Sequence, residues 1–285
     1  MAVIKKAFAE DFERIYPLIQ EFDNPNLNRE DWRQLFIRRW SSQEDHFGYF
    51  IEDDKKAVGF LGTIFSTRMI NQKPRQFCNL STWVVKKEYR GMSLLLLFEA
   101  LKLENYTITN FTANRVVKIL KRFGFKDLAS HFRVVLPTPN PRSLLYKIEV
   151  ISDKSAIRKN LTGEPLEIFN DHMDLKCFHL LLRVKGESCY LVFDKIKKKR
   201  LPGARLHYIS NPEIFQKYAH NICLKMCLQH KLFALVISEN MLKGNEIKFS
   251  IRVEQLQSML FKSNSLEETD MDTLYSEFQV LGLRT

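Results

Sequence analysis

The chain has 285 residues, 45% of them hydrophobic, with only 10 Gly and 9 Pro. That composition excludes a fibrous or disordered chain and can fill one large core or two ordinary ones. The formal net charge is +11, yet the excess of Lys and Arg is spread almost evenly over the two halves, so no basic domain stands out.

The one local concentration of charge is Lys195, Lys197, Lys198, Lys199 and Arg200, just before Leu201-Pro202-Gly203. It lacks interleaved aromatic residues and reads as a solvated turn, which argues against a nucleic-acid site. The first residues carry Lys5, Lys6, Glu10 and Asp11 instead of a leader pattern, and no apolar run reaches membrane-spanning length. The expected address is the cytoplasm, with no membrane partner. Five cysteines without a C-x-x-C pair point to buried thiols and to neither a disulfide framework nor a metal site.

Taken in chain order, Val3-Ile4 reads as a strand. Residues 10–22 read as a helix with Phe12, Ile15, Leu18, Ile19 and Phe22 on one face. Asn28, with Asp31 three positions on, signals the cap of a second helix carrying Trp32, Leu35 and Phe36. Strands are predicted at 49–51, 57–70 and 77–85, with turns at 53–56 and 71–74, which makes an antiparallel meander. On the last strand Asn79, Ser81 and Trp83 are expected to share a face.

That strand ends in Lys86-Lys87-Glu88-Tyr89-Arg90-Gly91-Met92-Ser93 and runs into Leu94-Leu95-Leu96-Leu97. A strand-turn-helix junction leaves the first helical N–H groups without partners at the positive end of the dipole, where diphosphates bind. Arg90 would add charge, and Gly91 would let the backbone come close to a ligand. A strand at 106–111 and a helix from Asn114 to Phe123, stopped by Gly124, follow; residues 131–136 read as the next strand.

The junction resembles the acyl-CoA diphosphate loop of GNAT-type N-acyltransferases, whose fourth strand enters an R-x-x-G-x-G/A turn and then a helix. Arg90 and Gly91 fit; Ser93 and Leu95 stand where the motif has glycine and glycine or alanine. The segment from Asn114 through Ile119-Leu120-Lys121-Arg122-Phe123-Gly124-Phe125 is similar to the family's N-x-x-x-x-L-Y-x-K-x-G-F helix, with Leu120 where many members carry the tyrosine that protonates the leaving thiolate. The resemblance implies an α/β fold with a mixed sheet. It also implies acetyl-CoA or another acyl-CoA as cofactor, held by Trp83, Val84, Val85, Arg90, Gly91, Met92, Ser93, Leu94, Leu95 and Asn114, and direct acyl transfer to the amine of a small molecule.

Catalytic groups are less plain, because the fourth strand carries no carboxylate. The candidates are Glu44 and His46 in a polar loop before the second strand, and Tyr106, which could replace the acid missing at Leu120. His179 and His207 read as core or surface histidines.

The second half repeats the order of elements. A strand at 144–150 and helices at 155–161 and 166–173 come first. Strands at 178–184, 189–196 and 204–209 follow, then a helix capped at Ser210-Asn211-Pro212 and running through Lys231. Next come strands at 233–237 and 249–251, and a helix at 254–261.

We therefore expect tandem GNAT-like domains. Residues 1–139 would bind acyl-CoA, and residues 140–285 would form a degenerate copy without a cofactor loop, since Pro212 removes a donor at the corresponding junction. Three alternatives stay open: one enlarged domain with a helical extension in place of the tandem, a pseudoenzyme that binds CoA or acts as a scaffold, and an acyltransferase with a carrier-linked donor. The acceptor, acyl length and oligomeric state are left open.

Overall fold

The computed structural model describes residues 1–22, 24–111, 116–128, 131–138, 148–198, 201–254 and 258–283. The chain packs as two units. One holds Met1–Lys126, Met259–Leu266 and Tyr275–Leu281; the other holds Asp127–Ser258, Glu267–Leu274 and Gly282–Thr285.

The first unit begins with β1 (Val3–Lys6), α1 (Phe12–Ile19) and α2 (Arg29–Arg33). Phe12, Ile15, Leu18 and Ile19 recur along one face of α1, and all four are buried. Phe22 departs from that expectation. α1 ends at Ile19, and a tighter 3-10 turn over Gln20–Phe22 turns the ring away from the α1 face, leaving it 43% exposed. α2 starts at the predicted capping box, where Asn28 Oδ1 accepts the Asp31 N–H and Asp31 Oδ2 accepts the Asn28 N–H, each at 3.0 Å.

The meander is β2 (Gly48–Asp53), β3 (Lys56–Ile70) and β4 (Lys73–Val85). Its turns, Asp54-Lys55 and Asn71-Gln72, hold positive φ at both central residues, which matches the twist of a hairpin. A 3-10 helix over Lys87–Met92 leads into α3 (Ser93–Leu101), then β5 (Tyr106–Asn110), α4 (Val117–Arg122) and the short β6 (Lys126–Asp127).

The second unit carries β7 (His131–Val135), β8 (Glu149–Ile151), α5 (Lys154–Asn160) and α6 (Glu164–His172). Then come β9 (Phe178–Val184), β10 (Glu187–Lys198), β11 (Leu201–Ile209), α7 (Pro212–His230), β12 (Ala234–Ser238) and β13 (Ile251–Glu254). Two further elements, β14 (Leu260–Lys262) and α8 (Glu277–Leu281), lie in the stretches that return to the first unit.

Each unit is built on a seven-stranded mixed sheet. The orders are β1-β2-β3-β4-β5-β14-β6 and β8-β9-β10-β11-β12-β7-β13. Position by position the polarities agree. Three antiparallel pairs lead to one parallel pair, β4–β5 or β11–β12, and the sixth strand is antiparallel to the fifth. The two halves are therefore one fold repeated in tandem.

The sixth strands are exchanged along the chain, which corrects three expectations. Residues 131–135 form a strand, but it completes the second sheet instead of the first. Leu260 and Phe261, expected in a helix, pair with Asn110 and Thr109 of β5. The domain limits of 1–139 and 140–285 consequently give way to a junction at 126/127, with 259–266 and 275–281 handed back to the first unit. The cause is tertiary: Leu260 is fully buried in the first core with Leu80, Ile108 and Leu120, and that burial overrides a locally helical pattern. Of the strand expected at 144–150, residues 144–147 lie outside the described set.

Candidate active site

The site grows out of a mismatch in length. β4 and β5 pair in parallel only from Gln76–Tyr106 to Asn79–Thr109. β5 stops at Asn110 while β4 runs on to Val85, so residues 80–85 are paired to β3 alone. Two amides fasten the base of the wedge. Asn79 Nδ2 donates to Thr109 Oγ1 at 3.0 Å, and Asn110 Nδ2 donates to the Leu80 carbonyl at 3.2 Å. On its other edge β4 carries a bulge: Ser81 faces Gly62 and Trp83 faces Leu61, leaving Thr82 unopposed at φ +42°. The bulge also corrects the expected face-sharing, because it sends Ser81 and Trp83 to opposite faces of the sheet.

An open cavity of about 810 Å³ fills the wedge. Residues 81–85 and Asn110 form its walls, with Arg90, Ser93 and Leu94 at the helix start, Val116 and Ile119 near α4, and Glu21 and Phe22 at the end of α1. Of the residues expected to hold a cofactor, Trp83, Val84, Val85, Arg90, Ser93 and Leu94 line this space. Gly91 does not, although a Cβ built on it would meet nothing within 4 Å. Met92 packs against the core. Leu95 lies on the exposed side of α3, and Asn114 falls outside the described residues.

The turn itself is more closed than a free helix start. The Tyr89 N–H donates to the Lys86 carbonyl at 2.9 Å, and the Ser93 N–H donates to the Arg90 carbonyl. Tyr89 ties the turn to β2 through a 2.7 Å hydrogen bond to Asp53.

The three catalytic candidates are brought together, but elsewhere. His46 Nε2 lies 3.1 Å from Glu44 Oε2, which also takes Lys6 Nζ at 3.1 Å. The His46 ring meets Phe65 at 5.0 Å, and Phe65 meets Tyr106 edge-on at 5.8 Å. Burial, with Lys6 beside it, lowers the His46 pKa and favours the neutral ring. Burial, with the Glu44 carboxylate second, pushes the Tyr106 phenol up to about 12. Tyr106 opens β5 whereas the wedge begins past Asn110, about 13 Å along the strand at ~3.3 Å per residue. Leu120 is fully buried in the core.

Sequence reasoning missed Glu21, Phe22, Thr82 and Asn110 as site residues and gave Ser81 no role. Ser81 Oγ and Trp83 Nε1 are buried without a hydrogen-bond partner. A run of polar residues on an otherwise apolar strand was the available signal for Ser81; nothing local marks the bulge.

At the matching junction of the second unit the chain caps itself. Asn211 Oδ1 accepts the Ile214 N–H at 3.1 Å, and Pro212 occupies the first turn of α7. β11 bulges at His207, whose ring is held between Asp194 Oδ2 at 3.1 Å and Thr273 Oγ1 at 2.7 Å. His179 is buried, with Nδ1 2.7 Å from the Tyr190 hydroxyl. Both histidines sit in the core, where the sequence reading leaves core and surface open.

No protein-family model matches the chain, and no curated protein sequence does. Solved structures do match in fold. A GCN5-related N-acetyltransferase from Anabaena variabilis superposes with a TM-score of 0.58 at 10% identity, covering 92% of this chain and 72% of that one. Its counterpart from Kribbella flavida gives 0.57 at 10% identity, over 92% and 70%. A Pyrococcus horikoshii protein provisionally assigned as an acetyltransferase gives 0.53 at 16% identity, over 96% and 92%. The fold is that of the GCN5-related N-acetyltransferases, in tandem. Among the described residues no helix is long and apolar enough to cross a membrane.

Proposed function

We propose that this chain is an acyl-CoA-dependent N-acyltransferase that acylates the amine of a small molecule, with acetyl-CoA as the first donor to test. The observation that carries the reading is the wedge, an unpaired edge of β4 that opens onto a cavity beside Arg90 at a helix start. The residues present fit an acyl-CoA. Arg90 and Ser93 border the cavity, and two buried donors on its β4 wall, Ser81 Oγ and Trp83 Nε1, lack an acceptor. When bound, the donor supplies a thioester carbonyl for the amine to attack.

The chain's own residues then divide the work. Arg90 and Ser93 hold the diphosphate, the bare edge at 83–85 aligns the pantetheine arm by strand-like pairing, and the apolar wall of Leu94, Val116 and Ile119 excludes water. Glu21 is the only carboxylate among the described lining residues; it receives the ammonium group of the acceptor and takes its proton. The second unit, capped by its own Asn211, serves as a structural partner without a cofactor. The positive net charge draws an anionic donor to the protein.

Calorimetric titration tests the reading. Acetyl-CoA should bind the native chain, and Arg90→Ala should weaken it about tenfold, the value of one charge-assisted hydrogen bond. Absence of binding would overturn the proposal. Against a panel of primary amines, Glu21→Gln should cut transfer roughly a hundredfold while leaving donor affinity within about twofold.

A second reading is a CoA-binding protein that transfers nothing. The fully buried Leu120 and the closed turn at Ser93 favour it, and donor binding without transfer to any amine would establish it.

A further inference from the structure

We propose, resting on the acyl-CoA reading, that the Ser81 hydroxyl is the side-chain donor that grips the acyl carbonyl of the bound thioester at the Thr82 bulge. Ser81 is 2% exposed and lines the wedge, and its Oγ has no hydrogen-bond partner. The two amides at the base of the wedge are not left in this state. The amides of Asn79 and Asn110 both donate at 3.0–3.2 Å. A buried hydroxyl without a partner is costly, and one that borders a cavity points to an acceptor that belongs to a ligand.

The surrounding backbone keeps the hydroxyl in place. Ser81 stands opposite Gly62, and a Cβ built on Gly62 would come within 2.7 Å of Ser81 Oγ. Any larger residue at 62 would push the hydroxyl aside. On the far side of the bulge the indole N–H of Trp83 is also buried without an acceptor. The site therefore offers two donors, on opposite faces of β4, that have no acceptor within the protein. An acyl-CoA brings acceptor oxygens of the right kind, one on the thioester and others on the pantetheine amides.

Neither donor titrates in the working pH range, so the grip would hold from acid to alkaline pH. The alternative hydroxyl, Tyr106, is about 13 Å from the wedge at ~3.3 Å per strand residue. A hydrogen bond from Ser81 polarises the carbonyl toward attack without itself giving up a proton.

The test compares acetyl-CoA with the thioether S-ethyl-CoA, which lacks only the carbonyl oxygen. By calorimetry the native chain should prefer acetyl-CoA by roughly fivefold or more, the effect of one hydrogen bond. Ser81→Ala should erase the preference while S-ethyl-CoA affinity stays level and the melting temperature does not fall, since loss of a structural hydroxyl would lower the melting temperature and leave the ratio alone. Gly62→Ala should reduce the ratio by displacing the hydroxyl, with Ser81 itself intact. If the native chain binds acetyl-CoA without preferring it, or if Ser81→Ala keeps the preference, this role for Ser81 is wrong and the acyl-CoA reading survives. If neither ligand binds, both fall together.

Discussion

At φ +42°, Thr82 occupies backbone space that a β-branched side chain rarely visits, and the cost is met because β3 and β4 pair firmly on either side. Thr82→Gly should therefore leave stability level or raise it by up to about 1 kcal/mol, unlike glycine elsewhere in a strand; chemical denaturation checks this. Burial, with Lys154 second, lowers the His179 pKa to about 4 from the ordinary 6.5. Between those values the unfolded chain holds a proton that the folded chain does not. Stability present at pH 7 is then lost as pH falls through that window, by at most roughly 3 kcal/mol. His179→Gln should flatten the fall of melting temperature between pH 6.5 and 4, and an unchanged slope would contradict this assignment.

At the scale of elements, the exchanged strands make β14 a structural part of the first unit. Leu260→Ala should cost about 2–5 kcal/mol and lower hydrogen-exchange protection in residues 108–110, the partners of β14 in the sheet. No loss of protection there would contradict the pairing. Elements with local signals were legible from the sequence. The Asn28 capping box, the hairpin turns at 54–55 and 71–72, and the position of the turn at Arg90-Gly91 each depend on residues close together in the chain. The partners of β7 and β14 were not legible, because strand pairing is decided by distant burial and nothing within 131–135 or 260–262 names a sheet. The same reason hid Glu21, which reaches the cavity because a 3-10 turn ends α1, and Asn110, whose amide closes a wedge that only β5's early stop creates.

For the whole molecule, one fold occurs twice, with a cavity beside one strand-to-helix junction and the other junction capped by its own side chain. The wedge beside Arg90 holds an open cavity of about 810 Å³, whereas α7 starts with Asn211 already bonded to Ile214. Donor binding is thus expected in the first unit alone. Hydrogen–deuterium exchange with and without saturating acetyl-CoA tests this most directly. Exchange should slow in residues 81–94 and stay unchanged at 210–216; unchanged exchange at 81–94, or slowing at the start of α7 instead, would contradict it.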